Sequence, residues 1–74
     1  MEITANTKVS LLVNQDDLVG DDRWGWFAYY IGGDDMTPDE VADMAAENGS
    51  CYTTTEAITT AQLLYYNGYL EIVE

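Results

Sequence analysis

Fourteen carboxylates and no histidine set the chemistry this chain can attempt. Three adjacent pairs, Asp16/Asp17, Asp21/Asp22 and Asp34/Asp35, stand beside a row at four-residue spacing, Asp39, Asp43 and Glu47. Paired carboxylates perform general acid–base catalysis when burial separates their pKa values. These pairs lie in polar stretches that read as solvated, which argues against that use. Residues 14–22 invite a calcium reading, but an EF-hand loop needs D-x-[DN]-x-[DN]-G with a Glu at its twelfth position, and the spacing here does not supply it. There is no Ser–base–acid spacing, phosphate-cradling loop or dinucleotide turn. The lone Cys51 has no partner for an intrachain disulfide and no histidine to activate it, so a small buried or half-buried thiol in a reducing cytosol is expected. Neither catalysis nor a cofactor nor a metal site is expected.

What remains is charge. The 14 acidic residues face only Lys8 and Arg23, a formal net charge of −12. Such a chain repels nucleic acid and anionic membranes and attracts basic proteins. Like charges at i,i+4 on a helix lie about 5–6 Å apart and destabilise it by a few tenths of a kcal/mol per pair. Folding alone would favour a Lys or Arg among Asp39, Asp43 and Glu47, and residues 33–49 contain neither. DNA presents a regular array of phosphates, and its binding proteins match it with Lys and Arg. Carboxylates at comparable spacing on a small rigid protein can occupy such a basic groove. Asp34, Asp35, Asp39, Asp43 and Glu47 form one such row. Asp16, Asp17, Asp21 and Asp22 extend it if their loop folds nearby. Trp24, Trp26 and Tyr30 are the candidate aromatic anchors.

Several elements must position these groups. Thr37-Pro38-Asp39-Glu40 is a capping box with proline at the first helical position, and Asn48-Gly49 supplies a stop. Val41, Met44 and Ala45 form the inner stripe of that helix. Thr53 and Glu56 make a second capping box, opening a helix with the stripe Ala57, Ile58, Ala61, Leu64 and Tyr65 that ends at Asn67-Gly68. From Ile3 to Val13 the odd positions, Thr7 apart, are apolar and the even ones, Leu12 apart, polar: the period of a half-buried strand. Residues 23–31, Arg-Trp-Gly-Trp-Phe-Ala-Tyr-Tyr-Ile, are rich in strand-favouring aromatics and predict a second strand, antiparallel to the first. Residues 69–74 form a short third strand beside the first. The expectation is a single α+β domain spanning 1–74, a small three-stranded antiparallel sheet with two helices, in the order β-β-α-α-β. Its 47% apolar and 12% aromatic content argues against disorder, and 74 residues place its core near the lower limit for independent folding.

In size, near absence of Lys and Arg, and paired acidic residues, the chain resembles the small acidic DNA-mimic inhibitors of bacteriophages and mobile elements, including anti-CRISPR and anti-restriction proteins. These share a strategy more than a sequence motif. The resemblance implies a basic nucleic-acid-binding partner: a CRISPR surveillance complex, a Cas nuclease or a restriction enzyme. The charge itself argues against direct contact with nucleic acid or membrane, and the expected state is a monomer or weak homodimer, the latter pairing through the aromatic strand. The amino terminus shows no basic-then-apolar leader pattern, so a cytoplasmic protein is expected, in the infected host cell if phage-encoded. Two other readings fit the same charge. One is an interaction module that neutralises a basic partner without imitating DNA. The other is a halophile's small domain, kept soluble by its acidic surface.

Overall fold

A computed structural model describes residues 2–73. The chain runs through β1 (Val9–Leu11), a 3-10 turn (Gln15–Asp17), α1 (Gly25–Ile31), α2 (Pro38–Glu47), α3 (Thr54–Tyr66) and β2 (Leu70–Ile72). The order is therefore β-α-α-α-β, with a two-stranded antiparallel sheet in place of the expected three-stranded one and three helices in place of two.

The correction lies in the aromatic segment. Residues 24, 27, 28 and 31 fall at i, i+3, i+4 and i+7, the spacing of a helical stripe. Trp24, Phe27, Ala28 and Ile31 are all buried, whereas Tyr29, assigned by the strand reading to the same face as Phe27, is 61% exposed. Aromatic strand propensity is a measure of fit to a half-buried pleat, and here helical packing against the rest of the core overrides it. On its other side β1 has only a single bridge, from outside the expected strand: Val9 exchanges backbone hydrogen bonds with Met36 at 2.9 and 3.0 Å.

The first strand is shorter than its pattern. Burial alternates along residues 2–14 as the period-2 reading requires, with Ile3 and Val9 fully buried and Leu12 exposed. Hydrogen-bonded pairing with β2 is confined to Val9↔Ile72, Ser10↔Glu71 and Leu11↔Leu70, because Thr4 and Thr7 fold into a turn closed by the Thr7 N–H on the Thr4 carbonyl. β2 does lie beside β1, as expected of the carboxyl-terminal segment.

Both capping boxes form. The Thr37 hydroxyl accepts from Glu40 N–H at 3.2 Å while the Glu40 carboxylate accepts from Thr37 N–H at 2.9 Å. Thr53 and Glu56 repeat the exchange at 3.2 and 3.1 Å. Gly49 adopts φ +84°, the left-handed geometry that closes α2. Replacing either Thr37 or Thr53 by alanine is expected to cost about 1 kcal/mol in urea unfolding, with little change in the m-value.

α2 buries Pro38, Val41, Ala42 and Ala45, and α3 buries Ala57, Thr60, Ala61 and Leu64. Of the expected stripes, Met44, Ile58 and Tyr65 are only half-buried. The core gathers Ile3, Val9, Leu18, Trp24, Phe27, Ile31, Met36, Val41, Leu64 and Leu70 from every part of the chain. Among the described residues, no helix is long and apolar enough to cross a membrane.

Candidate functional site

Three contacts decide where the carboxylates stand. The first joins the starts of α2 and α3: the Thr54 hydroxyl donates to Asp39 Oδ1 at 3.0 Å, and Asp39 N–H donates to the Ala5 carbonyl. Asp39 is half-buried and tied to the scaffold, so it drops out of the freely presented row. The second contact joins the end of α1 to the segment after α2, with Tyr30 Oη and Ser50 Oγ 3.2 Å apart. It brings the end of α2, carrying Glu47, towards the last turn of α1. The third lies at Gly32, where an added Cβ would stand 3.1 Å from Gln15 Oε1. The Gln15 side chain, at the start of the 3-10 turn bearing Asp16 and Asp17, therefore reaches the carboxyl end of α1, while Val19 beyond the turn lies against Gly25 at its amino end.

Asp16, Asp17, Asp34, Asp35, Asp43 and Glu47 are all exposed. Asn14 caps the 3-10 turn by accepting from Asp16 N–H at 3.0 Å, which holds the first pair in place without engaging its carboxylates. Asp21 and Asp22 lie at the opposite end of α1, about 10 Å away for a seven-residue helix. The structure thus sets Asp21 and Asp22 before the amino end of α1 and Asp34 and Asp35 beyond its carboxyl end.

Asp21 is spent on an internal contact. Arg23 Nε and Nη2 donate to its two carboxylate oxygens at 3.1 and 3.0 Å, and Arg23 N–H adds a third bond at 2.8 Å. The guanidinium also lies over the Trp24 ring, 4.0 Å from its centre. Among the described residues this is the sole ion pair. The Arg23 side chain, then its backbone N–H, holds the Asp21 carboxyl below its usual value, and Thr37 N–H does the same for Glu40.

Both shifts are downward, so the sign follows directly. Each ionised carboxylate favours the folded state above the ordinary carboxylate range, and its contribution disappears as pH falls through the lowered folded-state value. The urea midpoint is expected to fall between about pH 5 and about pH 3. An Asp21→Asn, Glu40→Gln double variant with the same pH profile as the parent across that interval would contradict the capping and ion-pair geometry.

The aromatic candidates separate by burial. Trp24 is a core residue packed edge-on against Tyr69, with no face for a partner. Tyr30 is half-buried beside Ser50. Trp26 is half-buried and stacks on Tyr52, ring centres 3.9 Å apart and planes 4° from parallel. Trp26 and Tyr30 are one helical turn apart, and Tyr52 and Ser50 are two residues apart in the connector, so that connector runs antiparallel along α1. This stack walls a groove of about 370 Å³ between α1 and α3, completed by Asp22, Arg23, Glu56 and three threonines. Tyr52 was not legible as a site residue, because nothing near it in the chain indicates a ring stacked from another element. Cys51 is exposed, contrary to the expected buried or half-buried thiol: the connector that carries it lies on the outside of α1.

Among the described residues, no three carboxylates or thiols converge as metal ligands. The arrangement offers exposed, fixed negative charge and one aromatic-walled groove, both suited to binding. Comparison of the chain with protein-family models, with curated proteins and with solved structures finds no match.

Proposed function

We propose that this protein is a non-catalytic acidic inhibitor. It presents carboxylates in place of nucleic-acid phosphates and blocks the basic DNA-binding surface of a defence complex, a CRISPR–Cas assembly or a restriction enzyme. The observation that carries this reading is the unpaired state of the exposed acids. Asp16 and Asp17 stand on the capped 3-10 turn, Asp43 and Glu47 on capped α2, and Asp34 and Asp35 in the turn between α1 and α2; the single ion pair among the described residues involves none of them. Capped helices hold charge at fixed spacing, which a disordered acidic tail does not. Fixed, unscreened charge of one sign steers a basic partner into place and sets the register of docking.

The test is capture from bacterial lysate on the immobilised protein, with and without excess double-stranded DNA. Capture of a nuclease or surveillance complex that DNA displaces is the expected result. Capture that DNA leaves unchanged would replace mimicry by a basic partner bound elsewhere than on its DNA-binding surface. A requirement for molar salt to fold at all would favour the halophilic reading of the same acids.

A further inference from the structure

The groove between α1 and α3 combines a flat aromatic wall and a carboxylate. Trp26 and Tyr52 form the wall, and Tyr52 remains 37% exposed although its ring is stacked. Asp22 lines one side, exposed and outside the single ion pair among the described residues. Glu56 lines the other, with its Oε1 bonded to Thr53. Thr60 also lines the groove and is only 8% exposed.

The molecule shows what such parts hold. A few residues away, Arg23 lies over the Trp24 ring with its guanidinium forked onto Asp21. An aromatic face beneath and a carboxylate at the edge suit a guanidinium, which is planar, weakly hydrated and able to donate two parallel hydrogen bonds. The groove repeats those parts with Trp26/Tyr52 and Asp22. Arg23 reaches its rim, but its charge is already met by Asp21.

The geometry points to an arginine side chain of the partner protein as the occupant of this groove. The guanidinium stacks on the exposed part of the Tyr52–Trp26 pair, donates to Asp22 and meets the Thr60 hydroxyl as an acceptor. The assignment rests on the reading that the partner is a basic protein, and it adds the anchor for that surface. The two features adjoin: Asp39, at the head of the acidic helix, is bonded to Thr54, and Thr55 lines the groove.

The test uses acetyl-arginine amide as probe and the Trp26 indole N–H resonance as readout, with acetyl-lysine amide at equal ionic strength as comparison. A saturable shift with the arginine probe, several-fold weaker with lysine, is expected. Tyr52→Ala and Asp22→Asn, both at exposed positions, should each weaken it roughly two- to fivefold. Thr60→Val keeps the shape and should weaken it less. Tyr66→Ala, on an exposed ring that does not line the groove, should leave it unchanged. No saturable shift, equal response to both probes, or indifference to Tyr52→Ala and Asp22→Asn together would overturn the assignment. Lysate capture separates the two proposals. If Tyr52→Ala captures the partner as well as the parent does, the groove assignment falls while the acidic inhibitor stands. If the arginine probe binds and no basic partner is captured, the groove stands and the inhibitor reading falls.

Discussion

Reversing Asp43 and Glu47 to lysine is expected to weaken capture of the basic partner by about 100-fold, at roughly tenfold for each charge reversed at a complementary interface. Both side chains are exposed, and among the described residues neither takes part in an ion pair. Each reversal changes the charge by two, taking the formal net charge from −12 to −8. The fold should not suffer. Asp39 and position 43 change from repulsive to attractive at i,i+4, and a lysine at position 47 suits the negative carboxyl end of α2. Against this, the two introduced lysines repel each other as the carboxylates before them did. A small net gain in stability, a few tenths of a kcal/mol, is therefore expected alongside the loss of binding.

That opposition of sign makes the variant informative, since lost capture cannot then be blamed on unfolding. The measurement is capture and inhibition in ordinary buffer, with urea unfolding run in parallel. Full inhibition by a folded double variant would remove the acidic helix from the binding face. Asp39→Lys is the wrong variant for this purpose, because it breaks the bond to Thr54 that joins the starts of α2 and α3.

Gly25→Ala is expected to be the most damaging small substitution on the backbone. In a helix, alanine is ordinarily favoured over glycine by up to about 1 kcal/mol. Here a Cβ on Gly25 would lie 2.3 Å from the Val19 carbonyl oxygen and 3.0 Å from its carbon, with the Leu18 oxygen at 3.4 Å. All three are backbone atoms, so no side-chain rotation relieves the overlap and the loop from the 3-10 turn must move away from α1. Overpacking of this kind costs about 1–3 kcal/mol and occasionally more. That is a large share of the stability of a chain this short. A fall in melting temperature of about 10 °C or more is expected, at roughly 4–8 °C per kcal/mol for a domain of this size. Gly20→Ala serves as control: nothing stands within 4 Å of its Cβ, and the melting temperature should barely change. Equal behaviour of the two variants would mean that α1 does not pack against residue 19.

The same glycine lies in the segment, residues 23–31, whose local pattern points to a strand and whose structure is a helix. Its aromatics satisfy both a period of two, through Phe27, Tyr29 and Ile31, and a helical stripe, through Trp24, Phe27, Ala28 and Ile31. Local propensity favours the strand. The choice is made by what the segment packs on: a helix sinks all four stripe residues into the core and lets Tyr29 reach solvent, whereas a strand would place Tyr29 on the same face as Phe27. The even burial rhythm of residues 2–14 was legible, since it needs only a wet side and a dry side. The length of the ladder was not, because it depends on where β2 and Met36 arrive.

By itself the sequence determined whatever is closed within one helical turn or summed over the chain: both capping boxes, the stop at Gly49, the buried part of the inner stripes (Val41, Ala45, Ala57, Ala61 and Leu64), and the surplus of negative charge. Such bonds span three or four residues, and their partners are adjacent whatever the rest of the chain does. Tertiary structure alone decided the helical state of α1, the loss of Asp39 from the free row, the separation of Asp21/Asp22 from the Asp34/Asp35 turn, and the Trp26–Tyr52 wall of the groove. Each depends on two segments distant in the chain meeting in space. That meeting is set by how the whole apolar surface is buried at once, to which no single stretch of residues holds the answer.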